Sequence, residues 1–417
     1  MLCLLVAACL SAPDIVFISV DTLRADRLGC YGYEFDTTPN VDRLAEGALL
    51  FEDCVTEVPL TSPSFGAMMT SRFPRMNGAA RNGLPLPEDI PTLAEELKKA
   101  GYQTFCVQSN WTLKAPLCGL ARGFDTYEDG FNKKRWGVLK SERYADEVTR
   151  IALDLLAKRD PAKPLFCWIH YSDPHAPYRF HSRFNPGDRT LRKLDETGQT
   201  RVRYDSEVAY TDSHIGQILA AVTQEAAVVF VADHGESLYE HDYLGHGRRV
   251  YQHEVRIPLI IRGPGVSAGR SKIPARGIDI APTILGLAGL PKVEGMLGAD
   301  LLKDSLPMDR VRVIETYGGA VPRIPGAKAL MASRPPMRQA VLAEHWKLIL
   351  DGTRPELFDL SPDPAELKDL AKNQPDHAES LTKLIADWDQ AVTKLDATEA
   401  ELSEDDINAL ESLGYVE

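Results

Sequence analysis

The chain has 417 residues, of which 44% are hydrophobic and 26% are charged, and this is the composition of an ordinary globular protein. The formal net charge of −13 argues against a nucleic-acid-binding protein, because such a protein needs a basic face to neutralise phosphates. An anionic substrate must therefore meet positive charge made locally, by a metal ion, a helix N-terminus or a few side chains. The seven cysteines form neither a zinc pattern nor a disulfide framework.

The N-terminal residues 1–12, MLCLLVAACLSA, are apolar, and LVAAC within them resembles a bacterial lipobox with Cys9 as the lipidated residue. No Lys or Arg precedes this run, and the run is short for a signal peptide. Two interpretations stay open. The chain is either an exported lipoprotein, periplasmic or on the outer surface and anchored at Cys9, or a cytoplasmic protein whose apolar N-terminus precedes the first strand. No other segment approaches the roughly 18 uncharged apolar residues that a transmembrane helix needs.

Short apolar runs alternate with amphipathic helical patterns over most of the chain, which predicts an α/β layered fold around a mostly parallel sheet. Buried strands are predicted at DIVFISVD (14–21), YQTFCVQSN (102–110), PLFCWIHYSD (164–173) and AAVVFVADHG (226–235). Helices are predicted at TLAEELKKAG (92–101), YADEVTRIALDLLAKRD (144–160) and DIAPTILGLAGLP (279–291).

The domain boundary follows a change in pattern, because after about Val311 the elements become shorter and more polar. We therefore expect a catalytic domain at 13–310 and a smaller α+β subdomain at 311–417. The segment 179–205 is basic in part and only weakly periodic, so it is either a lid or a solvated excursion.

Acidic and imidazole side chains follow three of the predicted strands. Asp21 ends the first strand, Asp173 and His175 follow the third, and Asp233 and His234 end the fourth. Ligands of open α/β sheets bind beyond the carboxyl ends of the strands, so these positions mark the expected active site. Of the HYSDPHAPY residues we favour His175 as a ligand of substrate oxygens or metal, and treat Asp173 as a minor candidate, because Asp before Pro is typical of a turn.

The segment VADHGESLYEHDYLGHG carries the strongest chemical signal. Asp233 and His234 are adjacent at a strand end, and His246 follows in a glycine-flanked loop. Mixed carboxylate and imidazole ligands suit zinc or manganese. Asp21 alone would be a weak candidate, but with Asp233 it supplies the second carboxylate that a divalent cation needs.

The segment VPLTSPSFGAMMTSRFP (58–74) has the pattern of a helix start, with Pro63 in the first turn. Thr61 or Ser62 then lies near the N-cap, where backbone N–H groups favour an oxyanion such as sulfate or phosphate. Two interpretations are open, since Thr61 is either a simple helix cap or a nucleophile. A threonine hydroxyl needs help to react near neutral pH, and direct coordination to a divalent ion supplies it.

In this order, these segments resemble the sulfatases of the alkaline phosphatase superfamily over nearly the whole chain. The similarity includes DIVFISVDTLRADRLGCYG, GYQTFCVQSN, PHAPY, VYQHEVRIPLIIRGPG and HWKLIL followed by ELFDLSPDPAELKDLA. The resemblance implies a three-layer αβα sandwich of the alkaline phosphatase type with a smaller C-terminal subdomain.

The departures from the sulfatase pattern concern the reactive residues. Sulfatases carry C-x-P-x-R or S-x-P-x-R, whose first residue becomes formylglycine, but this chain has Thr61 there and Phe65 in place of the arginine. No cysteine has proline two residues later, so we expect no formylglycine. Where sulfatases have a second aspartate after the first strand, this chain has Thr22, and where they have an asparagine after the later aspartate, it has His234. The G-K-x-H block of sulfatases is replaced by QSNWT.

This ligand set resembles the threonine-nucleophile branch of the superfamily, which includes phosphoethanolamine and phosphoglycerol transferases. The resemblance implies that a divalent metal, zinc or manganese rather than calcium, is held by four residues: Asp21, Thr61, Asp233 and His234. It implies that His175 and His246 bind the transferring oxygens, or a second metal, and act with Thr61 in catalysis. Ser62 and Asn110 are expected to contact substrate.

Three functions compete. The favoured one is a hydrolase of sulfate or phosphate esters that forms a covalent Thr61 ester, which water or an acceptor alcohol then releases. The second is a transferase of a phosphoryl-linked headgroup. Transferases of this branch usually carry a membrane domain, and the absence of one from this sequence argues against this function. The third is a non-catalytic binder of anionic glycans. The expected partner is an anionic ester, such as a sulfated or phosphorylated glycan or a lipid headgroup, and not a nucleic acid.

Overall fold

The computed structural model describes residues 12–131, 133–135, 139–185, 191–318, 334–352 and 354–392. Cys9, on which the predicted lipid anchor depends, lies outside the described residues, as does the C-terminal tail from residue 393. Among the described helices, none combines the length and the apolar character that a membrane span requires.

The predicted strands are all present, and further strands follow, four of them after Val311. The strands are β1 Ile15–Val20, β2 Leu49–Val55, β3 Gln103–Val107, β4 Thr126–Glu128, β5 Lys133–Arg135, β6 Leu139–Glu142, β7 Leu165–Tyr171, β8 Ala227–Ala232, β9 Ser237–Leu238, β10 Leu244–Gly245, β11 Arg256–Arg262, β12 Gly269–Ser271, β13 Ala275–Arg276, β14 Arg312–Thr316, β15 Arg338–Ala343, β16 Trp346–Asp351 and β17 Arg354–Asp359.

The main sheet has nine strands in the order β12-β2-β11-β8-β1-β7-β3-β4, with β13 also paired to β2. Strands β8, β1, β7, β3 and β4 run parallel to one another, and β11 pairs antiparallel with both β8 and β2. The central strands β1, β7 and β8 are buried along their whole length, as expected for a sheet covered on both faces. The mostly parallel sheet of the prediction is confirmed.

Helices cover the sheet in two groups. Helices α1, α5 and α6 form one set of contacts, and α2, α3 and α8 form another, which gives the predicted three-layer arrangement. The helices are α1 Pro39–Glu46, α2 Thr61–Thr70, α3 Leu93–Lys99, α4 Ala115–Cys118, α5 Ala145–Lys158, α6 Glu196–Ala221, α7 Gln252–Val255, α8 Ile280–Leu287 and α9 Pro375–Ala391.

The C-terminal subdomain is built on a separate antiparallel sheet in the order β14-β15-β16-β17. Helix α9 packs against this sheet, and Leu381 and Ile385 of the helix are buried with Val341 and Leu348 of the strands. This α+β unit fits the predicted change of architecture after Val311. Strand β14 connects it to the preceding part of the chain, because the Glu315 N–H donates to the Glu57 carbonyl oxygen.

Candidate active site

The site lies at the carboxyl ends of the central strands. Val20, the last residue of β1, is in register with Ala232 of β8 and with Tyr171 of β7. The residues that follow β1 and β8, Asp21 and Asp233, therefore emerge side by side at the same edge of the sheet. Both carboxylates are fully buried, and placing two acids together away from water costs free energy unless a partner offsets their charge.

The Asp233 carboxylate is fixed by backbone donors on one side. Its Oδ1 atom accepts hydrogen bonds from the Thr22 N–H at 3.1 Å and from the His234 N–H at 2.8 Å. Its Oδ2 atom lies 3.5 Å from His234 Nε2. Burial raises the pKa of Asp233 to about 7, because the charged form is poorly solvated there. A cation at Oδ2 would favour the ionised form instead.

The Asp21 carboxylate is held by a side-chain amide. Asn110 Nδ2 donates a hydrogen bond to Asp21 Oδ2, and Asn110 Oδ1 accepts from the Thr112 N–H and hydroxyl, both at 2.8 Å. The other Asp21 oxygen, Oδ1, lies 3.8 Å from His234 Nε2. Asn110 is expected from the sequence to contact substrate, and in the structure its amide is engaged in positioning Asp21.

The His234 ring presents Nε2 to the two carboxylates. Its Nδ1 atom lies 2.9 Å from the Gly235 carbonyl oxygen, so the proton belongs on Nδ1 and the lone pair on Nε2. Burial lowers the pKa of His234 to about 4, which keeps the ring neutral. A neutral imidazole that is oriented by its other nitrogen is the form in which histidine binds metals.

Thr61 completes the cluster. It is the first residue of α2, whose N-cap is Leu60, so Thr61 does not cap the helix by its side chain. Its hydroxyl Oγ1 lies 3.5 Å from His234 Nε2. The hydroxyl is thus brought to the same nitrogen that faces Asp21 and Asp233, as the nucleophile interpretation requires.

Ser62 occupies a different role from the one expected. Its N–H donates to Asn82 Oδ1 at 3.0 Å, and its hydroxyl donates to the Thr112 carbonyl oxygen at 2.7 Å. Both donors of Ser62 are therefore used within the protein, and they anchor the start of α2 rather than an oxyanion. The expected substrate contact of Ser62 stays a prediction, in which substrate would have to compete with these protein partners.

His175 and His246 face each other beside the cluster. Their Nε2 atoms are 3.2 Å apart, while His175 Nδ1 lies 2.7 Å from the Ala176 carbonyl oxygen and His246 Nδ1 lies 3.1 Å from the Pro59 carbonyl oxygen. The ring of His246 also lies 4.3 Å from the ring of His234, centroid to centroid. Three imidazoles thus meet in one small region.

A glycine lets the His246 loop approach helix α2. Gly247 has φ +84°, and a Cβ placed on it would lie 2.6 Å from Leu60 Cδ2. Leu60 is the residue that precedes Thr61, so the close approach at Gly247 brings the His246 loop against the start of α2. Only glycine combines this backbone conformation with this lack of space.

The donor set fits a divalent cation. One ligand atom each from Asp21, Asp233 and His234 lies within 4.8 Å of the others. Two carboxylate oxygens, an imidazole nitrogen and a hydroxyl resemble the ligands of zinc or manganese more than the all-oxygen set of calcium. A cation there would offset the burial of two acids, which otherwise repel each other.

Sequence reasoning missed three residues at the site. Asn82 orients Ser62. His170, inside β7, has Nε2 3.9 Å from Asp21 Oδ2 and Nδ1 3.0 Å from Ser19 Oγ. Glu236 is fully buried, and burial raises its pKa well above the usual value. The DHGE run contains Glu236, so that signal was present, whereas nothing local marks Asn82.

The minor candidate Asp173 is also buried. Its Oδ1 atom lies 3.6 Å from Arg179 Nη2, across the turn that carries His175. Asp173 therefore lies in the turn, and its minor candidacy as a ligand stays a prediction.

Comparison with known proteins agrees with this fold. The Sulfatase family model matches residues 13–290. The uncharacterized sulfatase YidJ of Escherichia coli is 24% identical over 427 aligned positions, which cover 86% of this chain and 83% of that protein.

Two solved structures show the same fold. The structure of BT4656 in complex with its substrate D-glucosamine-2-N,6-O-disulfate has a TM-score of 0.73 at 20% identity, with 91% of this chain and 98% of that chain covered. The phosphonate monoester hydrolase of Agrobacterium radiobacter has a TM-score of 0.74 at 18% identity, with 94% of this chain and 100% of that chain covered.

The α/β sandwich matches the fold of the sulfatases, which are part of the alkaline phosphatase superfamily. Within it, the family model covers more than half of the chain, and the chain belongs to the sulfatase family.

Proposed function

We propose that this protein is a metal-dependent hydrolase of sulfate or phosphate esters that acts through a covalent ester on Thr61. The main support is one geometric relationship. Asp21, Asp233 and His234 bring ligand atoms within 4.8 Å of one another, and Thr61 Oγ1 lies 3.5 Å from His234 Nε2. A buried hydroxyl beside a cation-type cluster has the two properties that an activated nucleophile needs.

Asp21, Asp233, His234 and Thr61 would hold the metal, with zinc or manganese favoured by the imidazole. When bound, a divalent cation lowers the pKa of a hydroxyl that it contacts and offsets negative charge on the ester oxygens. Because we expect no residue of this chain to become formylglycine, the nucleophile of this mechanism is the threonine hydroxyl.

In the first step, Thr61 Oγ1 attacks the sulfur or phosphorus atom of the ester. The new oxygen bond forms as the bond to the alcohol oxygen breaks, and the alcohol leaves with the proton that Thr61 gave up. We assign the transfer of this proton to the His175 and His246 pair, whose Nε2 atoms are 3.2 Å apart. In the second step, water attacks the same atom, the bond to Thr61 breaks, and one water proton returns to the Thr61 hydroxyl.

The substrate class is an anionic ester, and a sulfated glycan is the leading candidate. Its support is the likeness to BT4656, which has a sulfated glucosamine as its substrate. Because the fold is also similar to that of a phosphonate monoester hydrolase, esters of phosphorus are the second candidate class of substrate. The protein carries a net charge of −13, so a cation held by the cluster would have to attract such substrates locally.

The test uses metal analysis and turnover together. Wild type, Thr61→Ser and Thr61→Ala are assayed on nitrophenyl sulfate, nitrophenyl phosphate and bis(nitrophenyl) phosphate, with and without an added acceptor alcohol. We expect bound zinc or manganese in all three proteins, and a loss of kcat of at least about a thousandfold in Thr61→Ala. Residual activity of Thr61→Ser is compatible with the proposal, because serine keeps the hydroxyl.

Three results would contradict parts of this proposal. Full activity of Thr61→Ala excludes Thr61 as the nucleophile. Turnover that requires the acceptor alcohol identifies a transferase instead of a hydrolase. Wild-type protein that binds sulfated sugars without metal or turnover is the non-catalytic binder.

A further inference from the structure

A second group of ligand-type side chains lies where the His246 loop meets the C-terminal subdomain. His241, His253 and Glu366 each place one ligand atom within 4.8 Å of the other two. The group shares no residue with the Asp21, Asp233 and His234 cluster. We propose that His241, His253 and Glu366 form a second metal site, which binds a zinc ion and fixes the loop that carries His246. Two imidazole nitrogens and one carboxylate oxygen are a typical zinc ligand set.

His253 supplies a buried nitrogen to this group. Its side chain is 8% exposed, and its Nε2 atom makes no hydrogen bond with any residue in the described part of the chain. Glu254 Oε1 lies 3.7 Å from this nitrogen, beyond hydrogen-bond distance. A buried polar nitrogen without a partner costs folding free energy, and a metal ion at Nε2 removes that cost.

His241 is held in an unusual conformation that places its ring in the group. Its φ is +51° and that of Asp242 is +54°, in the left-handed region that non-glycine residues seldom adopt. The ring stacks on Tyr251 at 3.8 Å and an angle of 3°, and its Nε2 lies 3.3 Å from the Ala365 carbonyl oxygen. A carbonyl contact of this kind orients a ligating histidine. Backbone strain of this size persists where other contacts stabilise it.

Glu366 links the group to the C-terminal subdomain. Its φ is +59° and its side chain is buried. Oε2 accepts the Gln252 N–H at 2.5 Å, and Oε1 lies 2.7 Å from Lys347 Nζ. Each carboxylate oxygen has two lone pairs, so Glu366 can ligate a cation while it keeps both partners.

The local charge allows a dication beside Lys347. Lys347 and Arg24 are buried cations of this region, and Arg24 is paired with Asp26 and Glu240. Two further carboxyl groups, those of Glu236 and Glu254, are fully buried in the same region. With Glu366, Asp26 and Glu240 they make five carboxyl groups around the two basic side chains Lys347 and Arg24, so the region offers oxygen ligands to a dication.

A metal ion at this site would restrict the movement of the hairpin formed by β9 and β10. His241 lies between β9 and β10, and His246 directly follows β10. A zinc ion shared with Glu366 would tie this hairpin to the C-terminal subdomain. It would limit the movement of His246 relative to His175 without contacting substrate.

The test separates this site from the active site. In an Asp233→Asn background, which weakens the first site, zinc content and zinc affinity are measured by elemental analysis and titration calorimetry. We expect one zinc ion per chain to remain, and His241→Gln or His253→Gln to weaken its binding by at least about tenfold. The matched control is His345→Gln, an exposed histidine of the C-terminal subdomain outside the group, which should bind zinc like the background.

Two results overturn the proposal. One is an Asp233→Asn protein that binds no zinc. The other is unchanged zinc affinity in both His241→Gln and His253→Gln. Circular dichroism checks that each variant is folded, and the half-buried His241 gives a variant that should fold even if His253→Gln does not. Because activity is not the readout, this result does not depend on the proposed ester hydrolysis.

Discussion

His175 Nε2 and His246 Nε2 lie 3.2 Å apart, while the Nδ1 atom of each ring lies within hydrogen-bond distance of a backbone carbonyl oxygen. If both Nδ1 atoms carry protons, two nitrogen lone pairs point at each other. This arrangement is unfavourable unless a proton, a substrate hydroxyl or a cation lies between them. In the proposed mechanism, this pair would hold the proton that Thr61 passes to the leaving oxygen.

Replacing His246 with glutamine should slow the chemistry without removing the metal. We expect kcat to fall about 100- to 10,000-fold, the usual contribution of a general acid or base, with metal content unchanged. Steady-state kinetics and elemental analysis measure the two effects. His214→Gln, in α6, is the control and should behave as wild type. Loss of metal in His246→Gln would instead make His246 a ligand.

The amide of Asn110 should matter through Asp21. Asn110→Ala removes the donor to Asp21 Oδ2, and we expect metal affinity to fall about 10- to 100-fold, as for other residues that orient ligands. Titration of the metal-free protein measures this. Asn40→Ala is a matched control, because Asn40 Nδ2 also donates a hydrogen bond to a carboxylate, that of Asp212, at 2.7 Å. This pair lies in the contact between α1 and α6 and not in the ligand cluster. Equal metal affinity in the two variants would refute the positioning role of Asn110.

Gly247 should tolerate no side chain. A Cβ at this position meets Leu60 Cδ2 at 2.6 Å with φ +84°, so Gly247→Ala should lower the free energy of unfolding by more than about 1 kcal/mol and also lower kcat. Gly32→Ala is the matched control, since Gly32 has φ +98° with no atom within 4 Å of the added Cβ. Denaturant unfolding should show a smaller loss for Gly32→Ala, and turnover should fall only in Gly247→Ala.

Stability should depend on pH through Glu57. Burial raises the pKa of Glu57 from 4.5 to about 7, although nearby Arg276 and the Ile278 N–H at 3.3 Å favour its charged form. The folded state therefore binds this proton more tightly than the unfolded state. The proton bound to Glu57 therefore stabilises the folded state fully below the unfolded-state pKa of 4.5, and this stabilisation is lost as the pH rises through the folded-state pKa of about 7.

Glu57→Gln should remove that dependence. Above pH 7, the free energy of unfolding of the variant should exceed that of wild type by up to about 3 kcal/mol. The difference should become small below the pKa that Glu57 has in the unfolded chain. Urea unfolding at a series of pH values measures it. Parallel stability curves for the two proteins would show that Glu57 is not the group responsible.

The sheet and the cluster are predictable from the sequence for one physical reason. Apolar runs such as 14–21 and 226–235 are too short for helices, and the polar residues that end them must meet at one edge of a parallel sheet. Asp21, Asp233 and His234 were therefore predictable together. The three side chains meet because the strands before them pair in a fixed register, which the hydrophobic pattern of the strands determines.

Other features depend on contacts between distant segments. The segment 179–205 is predicted to be a lid or an excursion, yet its last part begins the long helix α6 at Glu196. Much of α6 is polar and its periodicity is weak, so its pattern does not stand out. The substrate contacts expected of Ser62 and Asn110 stay predictions, and nothing local in the sequence reveals the hydrogen bonds that Asn82 and Asp21 make with them.

The central claim is that Thr61 forms a covalent ester, and trapping that ester tests it most directly. Wild-type protein is mixed with an excess of the nitrophenyl ester that it turns over, quenched in acid within one turnover, digested, and examined by peptide mass spectrometry. We expect the mass of one sulfuryl or phosphoryl group on Thr61, in the peptide that contains residues 58–72. Rapid turnover with Thr61 unmodified, or the added group on another residue, would contradict the account.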